Sequence, residues 1–257
     1  MQLRITTVQT NLYWEDKAAN LDMLAQKLAH LAGTTDIIVL PEMFTTGFSM
    51  RPSVFAESMD GTSVAWMRQQ AHALQADICG SLIIEENGIY YNRLVWMHVD
   101  GRTETYDKRH LFGLADETAH YGAGSARLLV TCKGWKICPL ICYDVRFPVW
   151  SSNTDGYDVL LYVANFPGRR IQAWNGLLVA RAIENQSYVV AVNRIGEDGN
   201  GIYHNGDSSV IDFEGNVLYK MNHEEDVKTH VLNHQELSLF RQKLPFLADS
   251  DLFMLKL

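Results

Sequence analysis

Two stretches of the chain, Ile37-Ile-Val-Leu40 and Leu160-Leu-Tyr-Val-Ala164, are apolar at every position rather than at every second one. A strand with one wet face alternates apolar and polar residues, whereas a strand covered on both faces has no need to. The stretches are too short for buried helices and rich in β-branched or aromatic residues, so they read as strands with cover on both sides. Other strand candidates lie at 3–8, 77–84, 92–99, 127–130, 136–141, 188–193, 208–212, 217–219 and 227–231. Asn87-Gly88, Asp100-Gly101 and Glu214-Gly215-Asn216 stand between paired runs as hairpin turns. Helix candidates fall at 17–31, 62–74, 173–185 and 235–242. The first sets Ala18, Leu21, Leu24, Ala25, Leu28 and Leu31 at three- and four-residue steps, a face made to lie on a sheet. Buried strands together with hairpins give a mixed-sheet α/β protein.

No repeat, low-complexity tract or linker divides the 257 residues, so one domain over 1–257 is expected. The C-terminal segment, about 235–257, is unusually apolar, with Leu237, Phe240, Leu244, Phe246, Leu247, Leu252, Phe253 and Leu255. It is expected to pack on the body or on a partner subunit. Lys plus Arg number 22 against 30 Asp plus Glu, a net charge of −8. That balance argues against binding nucleic acid or an anionic membrane through bulk charge. The apolar runs fall far short of the roughly 20 residues that cross a bilayer. Met1-Gln-Leu-Arg-Ile-Thr-Thr-Val-Gln9 lacks the layout of a secretory signal, so a cytoplasmic, soluble protein is expected. Cys79, Cys132, Cys138 and Cys142 then read as thiols rather than a disulfide framework.

Ligands of open α/β sheets bind beyond the carboxyl ends of strands, which directs attention to polar residues placed there. Glu42 follows Ile37-Ile-Val-Leu-Pro41, Lys108 follows Thr103-Glu-Thr-Tyr-Asp107, and Cys142 ends Trp135-Lys-Ile-Cys-Pro-Leu-Ile141. Singly, each has an ordinary explanation: a salt-bridge or helix-start acid, a solvated lysine, a small buried thiol. Together they have a chemistry. A thiol of pKa near 8.5 is mostly protonated at neutral pH and needs a base or a positive charge to become a nucleophile. Glu42 can take the proton if its carboxyl pKa is raised in a partly dry pocket. Lys108 and a backbone N–H, that of Tyr143, can hold an oxyanion.

These residues also carry a resemblance. Leu40-Pro-Glu-Met-Phe44, Tyr106-Asp-Lys-Arg-His-Leu-Phe112 and Ile141-Cys-Tyr-Asp-Val-Arg-Phe-Pro148 resemble, in order and spacing, the three signature segments of the nitrilase superfamily of carbon–nitrogen hydrolases. Ala164-Asn-Phe-Pro167 and Arg181-Ala-Ile-Glu-Asn-Gln186 are similar too. The resemblance implies a four-layer αββα sandwich, commonly a homodimer, and cofactor-free hydrolysis through a thioester. It implies Glu42 as base, Lys108 as oxyanion stabiliser and Cys142 as nucleophile. It adds a second glutamate, matched by Glu117 before the Gly122-Ala-Gly124 turn.

Within the superfamily, Asp107-Lys-Arg-His-Leu-Phe112 and Cys142-Tyr-Asp-Val-Arg-Phe-Pro148 most resemble the omega-amidase branch. Those enzymes release ammonia from the terminal amide of 2-oxo acid amides such as 2-oxoglutaramate and 2-oxosuccinamate. An anionic small-molecule substrate needs a cation outside the catalytic set, and Arg146, Arg169 and Arg170 are the candidates. Alternatives are an N-carbamoyl amino acid amidohydrolase, a deaminated-glutathione amidase, or a catalytically idle member that binds a ligand or partner.

No metal is expected: Cys132, Cys138 and Cys142 with His110 and His120 contain no Cys-x-x-Cys pair. Gly196-Glu-Asp-Gly-Asn-Gly201 lacks the Lys-Ser/Thr of a phosphate loop and reads as a turn at the pocket rim. Arg181 is expected to point inward, with Glu184 or an acid from the sheet as partner. Asp144, with no histidine beside it in sequence, is expected to cap its own turn.

Overall fold

The computed structural model describes residues 1–251 and 253. Its strands are β1 (Gln2–Gln9), β2 (Ile37–Val39), β3 (Asp77–Glu86), β4 (Ile89–Met97), β5 (Thr103–Asp107), β6 (Val130–Cys132) and β7 (Trp135–Ile141). They continue as β8 (Val159–Ala164), β9 (Tyr188–Asn193), β10 (Ile195–Glu197), β11 (Tyr203–Ile211), β12 (Val217–Asn222) and β13 (Asp226–Asn233). The helices are α1 (Lys17–Leu28), α2 (Pro52–Phe55), α3 (Thr62–Leu74), α4 (Glu117–His120), α5 (Pro148–Ser151), α6 (Ile171–Glu184) and α7 (His234–Lys243).

Two mixed sheets result. The first runs β13-β1-β2-β3-β4-β5 and the second β10-β11-β9-β8-β7-β6, with β12 on β11. In each a parallel centre, β1-β2-β3 or β7-β8-β9, is flanked by antiparallel neighbours. Strand β2 shows why continuous apolarity is required. Ile37 and Val39 face a core shared with Leu140, Leu160 and Val192 of the second sheet. Ile38 and Leu40 face a core shared with Leu24 and Leu28 of α1 and Met67 and Ala71 of α3. All four are fully buried, and burial of a side chain of this kind stabilises by about 1.5–3 kcal/mol. On the other side Trp174, Leu178 and Ala182 of α6 close over the second sheet. The order helix, sheet, sheet, helix is the expected four-layer αββα sandwich.

The boundaries shift where turns intervene. The strand expected at 127–130 begins only at Val130, because Lys133 and Gly134, both at positive φ, turn the chain tightly from Cys132 into Trp135. Helix α1 ends at Leu28 and the remainder to Leu31 tightens into a 3₁₀ turn. Strand β10 was not foreseen: three residues pairing with β11 leave too short a pattern to read. In the C-terminal segment Leu237 is buried, Phe240 lies 4.8 Å from Phe213 between ring centroids, and Arg241 Nε donates to the Gln186 carbonyl. Leu252 and Leu255 lie outside the described residues. Among the described residues no helix is long and apolar enough to cross a membrane.

Candidate active site

The carboxyl ends of β2, β5, β7 and β8 open onto one cavity of about 560 Å³, whose lining includes Glu42, Lys108, Cys142 and Asn165. Glu42 leaves the end of β2 and is fully buried. Its Oε1 accepts from Lys108 Nζ at 2.8 Å and from Asn92 Nδ2 at 2.8 Å, and its Oε2 accepts from the Asn165 backbone N–H at 2.8 Å. Lys108, the first residue after β5, donates also to both Glu117 oxygens at 3.0 Å. Glu117 is held in turn by the Phe112 backbone N–H at 2.5 Å. The Gly122-Ala-Gly124 segment makes no turn but runs along the strand ends, Gly122 N–H donating to the Tyr90 carbonyl and Gly124 N–H to that of Lys108, and a Cβ at Gly124 would overlap the Asp107 carbonyl. Glu42, Lys108 and Glu117 therefore form one buried hydrogen-bonded set.

Cys142 follows β7 at the start of a 3₁₀ turn, Cys142–Arg146, with φ of +43°. A non-glycine residue keeps such a conformation only where the surrounding structure holds it there. Two contacts hold the turn. Asp144 Oδ2 accepts from the Ile141 N–H at 3.1 Å, and Arg181 Nη2 donates to the Val145 carbonyl at 2.7 Å while its Nη1 pairs with Glu184. Both expected structural roles are present. Asp144 does more than cap, however. His110 Nδ1 lies 2.8 Å from its Oδ1 and the Tyr106 hydroxyl donates to Oδ2 at 2.7 Å, so the acid ties the lysine segment to the cysteine turn. Adjacency in sequence was the wrong test for a histidine neighbour, because the sheets bring His110 from another strand end.

The charges are strongly coupled. Burial alone would push the Lys108 pKa down, but the Glu117 and Glu42 carboxylates outweigh it and hold the ammonium above its ordinary range. Burial pushes Glu117 up, against the pull of Lys108. Burial and then the Glu42 carboxylate push the Cys142 thiol well up, with Lys108 drawing it back. A thiol held up in this way needs an acceptor to release its proton. The Tyr143 N–H lies in the first turn of a helix, where N–H groups have no intrahelical acceptor.

Arg146, Arg169 and Arg170 line the same cavity. Arg170 stacks over Phe112 at 4.8 Å and Arg146 over Phe166 at 5.7 Å. Among the described residues no carboxylate pairs with any of the three, although Arg170 is held below its ordinary pKa by burial and by Arg169. Asp198 and Asn200 of the glycine-rich turn also line the cavity.

Asn92 and Asn165 were missed. Asn165 follows the apolar β8 directly and met the same criterion as Glu42, Lys108 and Cys142. Asn92 sits inside β4, where a lone polar residue carries no mark in sequence.

The sequence matches the carbon-nitrogen hydrolase family over residues 4–242. The chain belongs to the carbon-nitrogen hydrolases. It is 44% identical over 254 residues to the omega-amidase YafV of Escherichia coli, covering 98% of each chain. It is 32% identical over 255 residues to a 2-oxoglutaramate amidase of Bacillus subtilis, covering 97% of this chain and 98% of that one. A crystal structure of a CN-hydrolase superfamily protein from Xanthomonas campestris, with an arsenic adduct in the active site, covers 100% of both chains at 44% identity and a TM-score of 0.98. This carbon-nitrogen hydrolase is thus an amidase of the omega-amidase branch of the nitrilase superfamily, with the fold its motifs implied.

Proposed function

We propose that the enzyme hydrolyses the terminal amide of a small carboxylated amide, a 2-oxo acid amide such as 2-oxoglutaramate or 2-oxosuccinamate, through a thioester on Cys142. The observation that carries the reading is the convergence of Glu42 and Lys108, hydrogen-bonded to each other and buried, on the cavity that Cys142 lines.

As the sulfur adds to the amide carbon, Glu42 takes the thiol proton, and the carbonyl oxygen becomes an oxyanion held by Lys108 and the Tyr143 N–H. The C–N bond breaks as Glu42 returns the proton to nitrogen, and ammonia leaves. Water then adds to the thioester with Glu42 again as base, the S–C bond breaks, and the acid departs with the thiol restored. A thiol held up in pKa fits a base that acts during attack. Glu117 keeps Lys108 charged and aimed. The carboxylate at the substrate's far end meets Arg146, Arg169 or Arg170, cations whose charge no protein carboxylate neutralises among the described residues. The likeness to the Bacillus subtilis 2-oxoglutaramate amidase supports this choice of substrate.

The reading extends to a single domain over 1–257, a cytoplasmic location and, on the strength of the family resemblance, a homodimer. Sedimentation showing only monomer would remove the dimer.

The substrate is tested by ammonia release from 2-oxoglutaramate, 2-oxosuccinamate, glutamine, an N-carbamoyl amino acid and a simple nitrile. The 2-oxo acid amides should lead in kcat/KM. Preference for the N-carbamoyl compound or the nitrile would overturn the assignment.

A further inference from the structure

Asn165 is the first residue after β8, and β8 runs parallel to β7 with Val163 opposite Ile141, so Asn165 emerges beside Cys142 from the second sheet. Glu42 emerges from the first. Asn165 spans the gap twice: its backbone N–H donates to Glu42 Oε2 at 2.8 Å, and its Nδ2 donates to the Glu42 backbone carbonyl. That carbonyl is acceptor-only, which fixes which end of the side-chain amide faces it.

The two carboxylate oxygens of Glu42 are unequal as a result. Oε1 is engaged by Lys108 and Asn92, both at 2.8 Å. Oε2 accepts only the Asn165 N–H among the described residues and keeps a lone pair for the thiol proton. The Asn165 side chain is buried, yet its Oδ1 has no partner among the described residues. A buried amide kept for packing or stability is normally satisfied at both ends. Here only the donor end is used, and it is used on the base.

We propose that Asn165 is a positioning residue, whose side-chain amide locks the Glu42 backbone so that Oε2 addresses the Cys142 sulfur. Its side-chain amide acts through the Glu42 main chain, while its backbone N–H meets Oε2 directly. The proposal rests on the reading of Glu42 and Cys142 as base and nucleophile. Small displacements of a catalytic group are enough to matter: a shift of about 1 Å can lower a rate roughly 100-fold.

The test compares N165D, which keeps the shape but replaces the donor by a carboxylate, with N165A, which removes the donor without adding charge, C142A and the wild type. Two readouts are taken: kcat and KM for 2-oxoglutaramate, and the rate of iodoacetamide alkylation at Cys142. The expected result for N165D is a kcat lower by about 10- to 100-fold, KM within about threefold, and alkylation slowed in parallel, because both reactions need the proton removed by an aligned base. If N165D does not fold, N165A carries the same expectation. Wild-type kcat and alkylation in either folded variant would overturn the proposal, as would a lowered melting temperature with kcat per folded molecule unchanged. An inactive C142A beside a fully active N165D would defeat this proposal alone. Ammonia release by C142A at the wild-type rate would instead defeat the reading beneath it.

Discussion

Replacement of Lys108 by methionine removes the one cation from the buried set. Lys108 Nζ lies 2.8 Å from Glu42 Oε1 and 3.0 Å from Glu117 Oε2, with both carboxylates fully buried. At an effective dielectric of about 20, each contact is worth about 5–6 kcal/mol before desolvation is counted. Desolvation of the ammonium offsets much of that, and buried pairs broken on one side generally lose about 3–5 kcal/mol. The upper part of that range applies here. K108M leaves two acids joined only through Asn92 Nδ2, which donates to Glu42 at 2.8 Å and to Glu117 at 3.2 Å. A loss of about 4–5 kcal/mol, at roughly 2–4 °C per kcal/mol for a chain of this size, lowers the melting temperature by about 8–20 °C near pH 7.5.

The pH dependence has a definite sign. Glu117 is already pushed up by burial, and without Lys108 the carboxylate pair binds a shared proton more tightly in the folded than in the unfolded chain. More protons on the folded state means stability rising as pH falls. The stabilisation due to Lys108 itself, whose folded pKa is raised, is fully present below the ordinary lysine pKa and so is flat from pH 5 to 8. The gap between wild type and K108M should therefore narrow from pH 8 to pH 5. Thermal unfolding followed by circular dichroism at constant ionic strength measures it. A gap of constant size, or one under about 2 °C throughout, would refute the reasoning.

Alkylation by iodoacetamide with peptide mapping should mark Cys142 ahead of Cys79, Cys132 and Cys138. Cys79 and Cys138 are fully buried, whereas Cys142 lines the cavity. The Cys142 rate should rise with pH, since its thiol is held up, and uniformly slow labelling of all four would count against a nucleophile there. For the substrate carboxylate, R146M, R169M and R170M should separate by the charge of the amide offered. Loss of a charged hydrogen bond of about 1.5–3 kcal/mol raises KM for an anionic amide by roughly 10- to 100-fold, and a neutral amide should change by less than about threefold. An arginine whose loss affects both alike does not hold the carboxylate.

The fold was readable where burial dictates composition. Ile37 to Leu40 must be apolar throughout because its alternate residues enter two different cores, and this singled out a covered strand without any coordinates. Hairpins declared themselves through Asn-Gly and Asp-Gly pairs, whereas Lys133-Gly134 did not, since only one of its residues belongs to the usual pair. In the site, Glu42, Lys108 and Cys142 were legible because each stands just past the carboxyl end of a strand, apolar before Glu42 and Cys142 and polar before Lys108. What escaped was held across space rather than along the chain. Asn92 is a polar residue inside a strand, His110 meets Asp144 only because the two sheets face each other, and Asn165, although it follows an apolar strand, shows its link to Glu42 only when the two sheets are brought together. Hydrogen bonds made by backbone groups leave no trace in residue type, so such contacts are the last thing a sequence discloses.

In the proposed cycle the acyl group passes through Cys142, a step that rapid-quench mass spectrometry can catch. Enzyme mixed with excess 2-oxoglutaramate, quenched in acid within the first turnover and digested, should yield the Cys142 peptide heavier by the substrate less ammonia, with the added mass removed by hydroxylamine. A burst of ammonia equal to the enzyme present, with Cys142 recovered unmodified or the adduct on another residue, would contradict it.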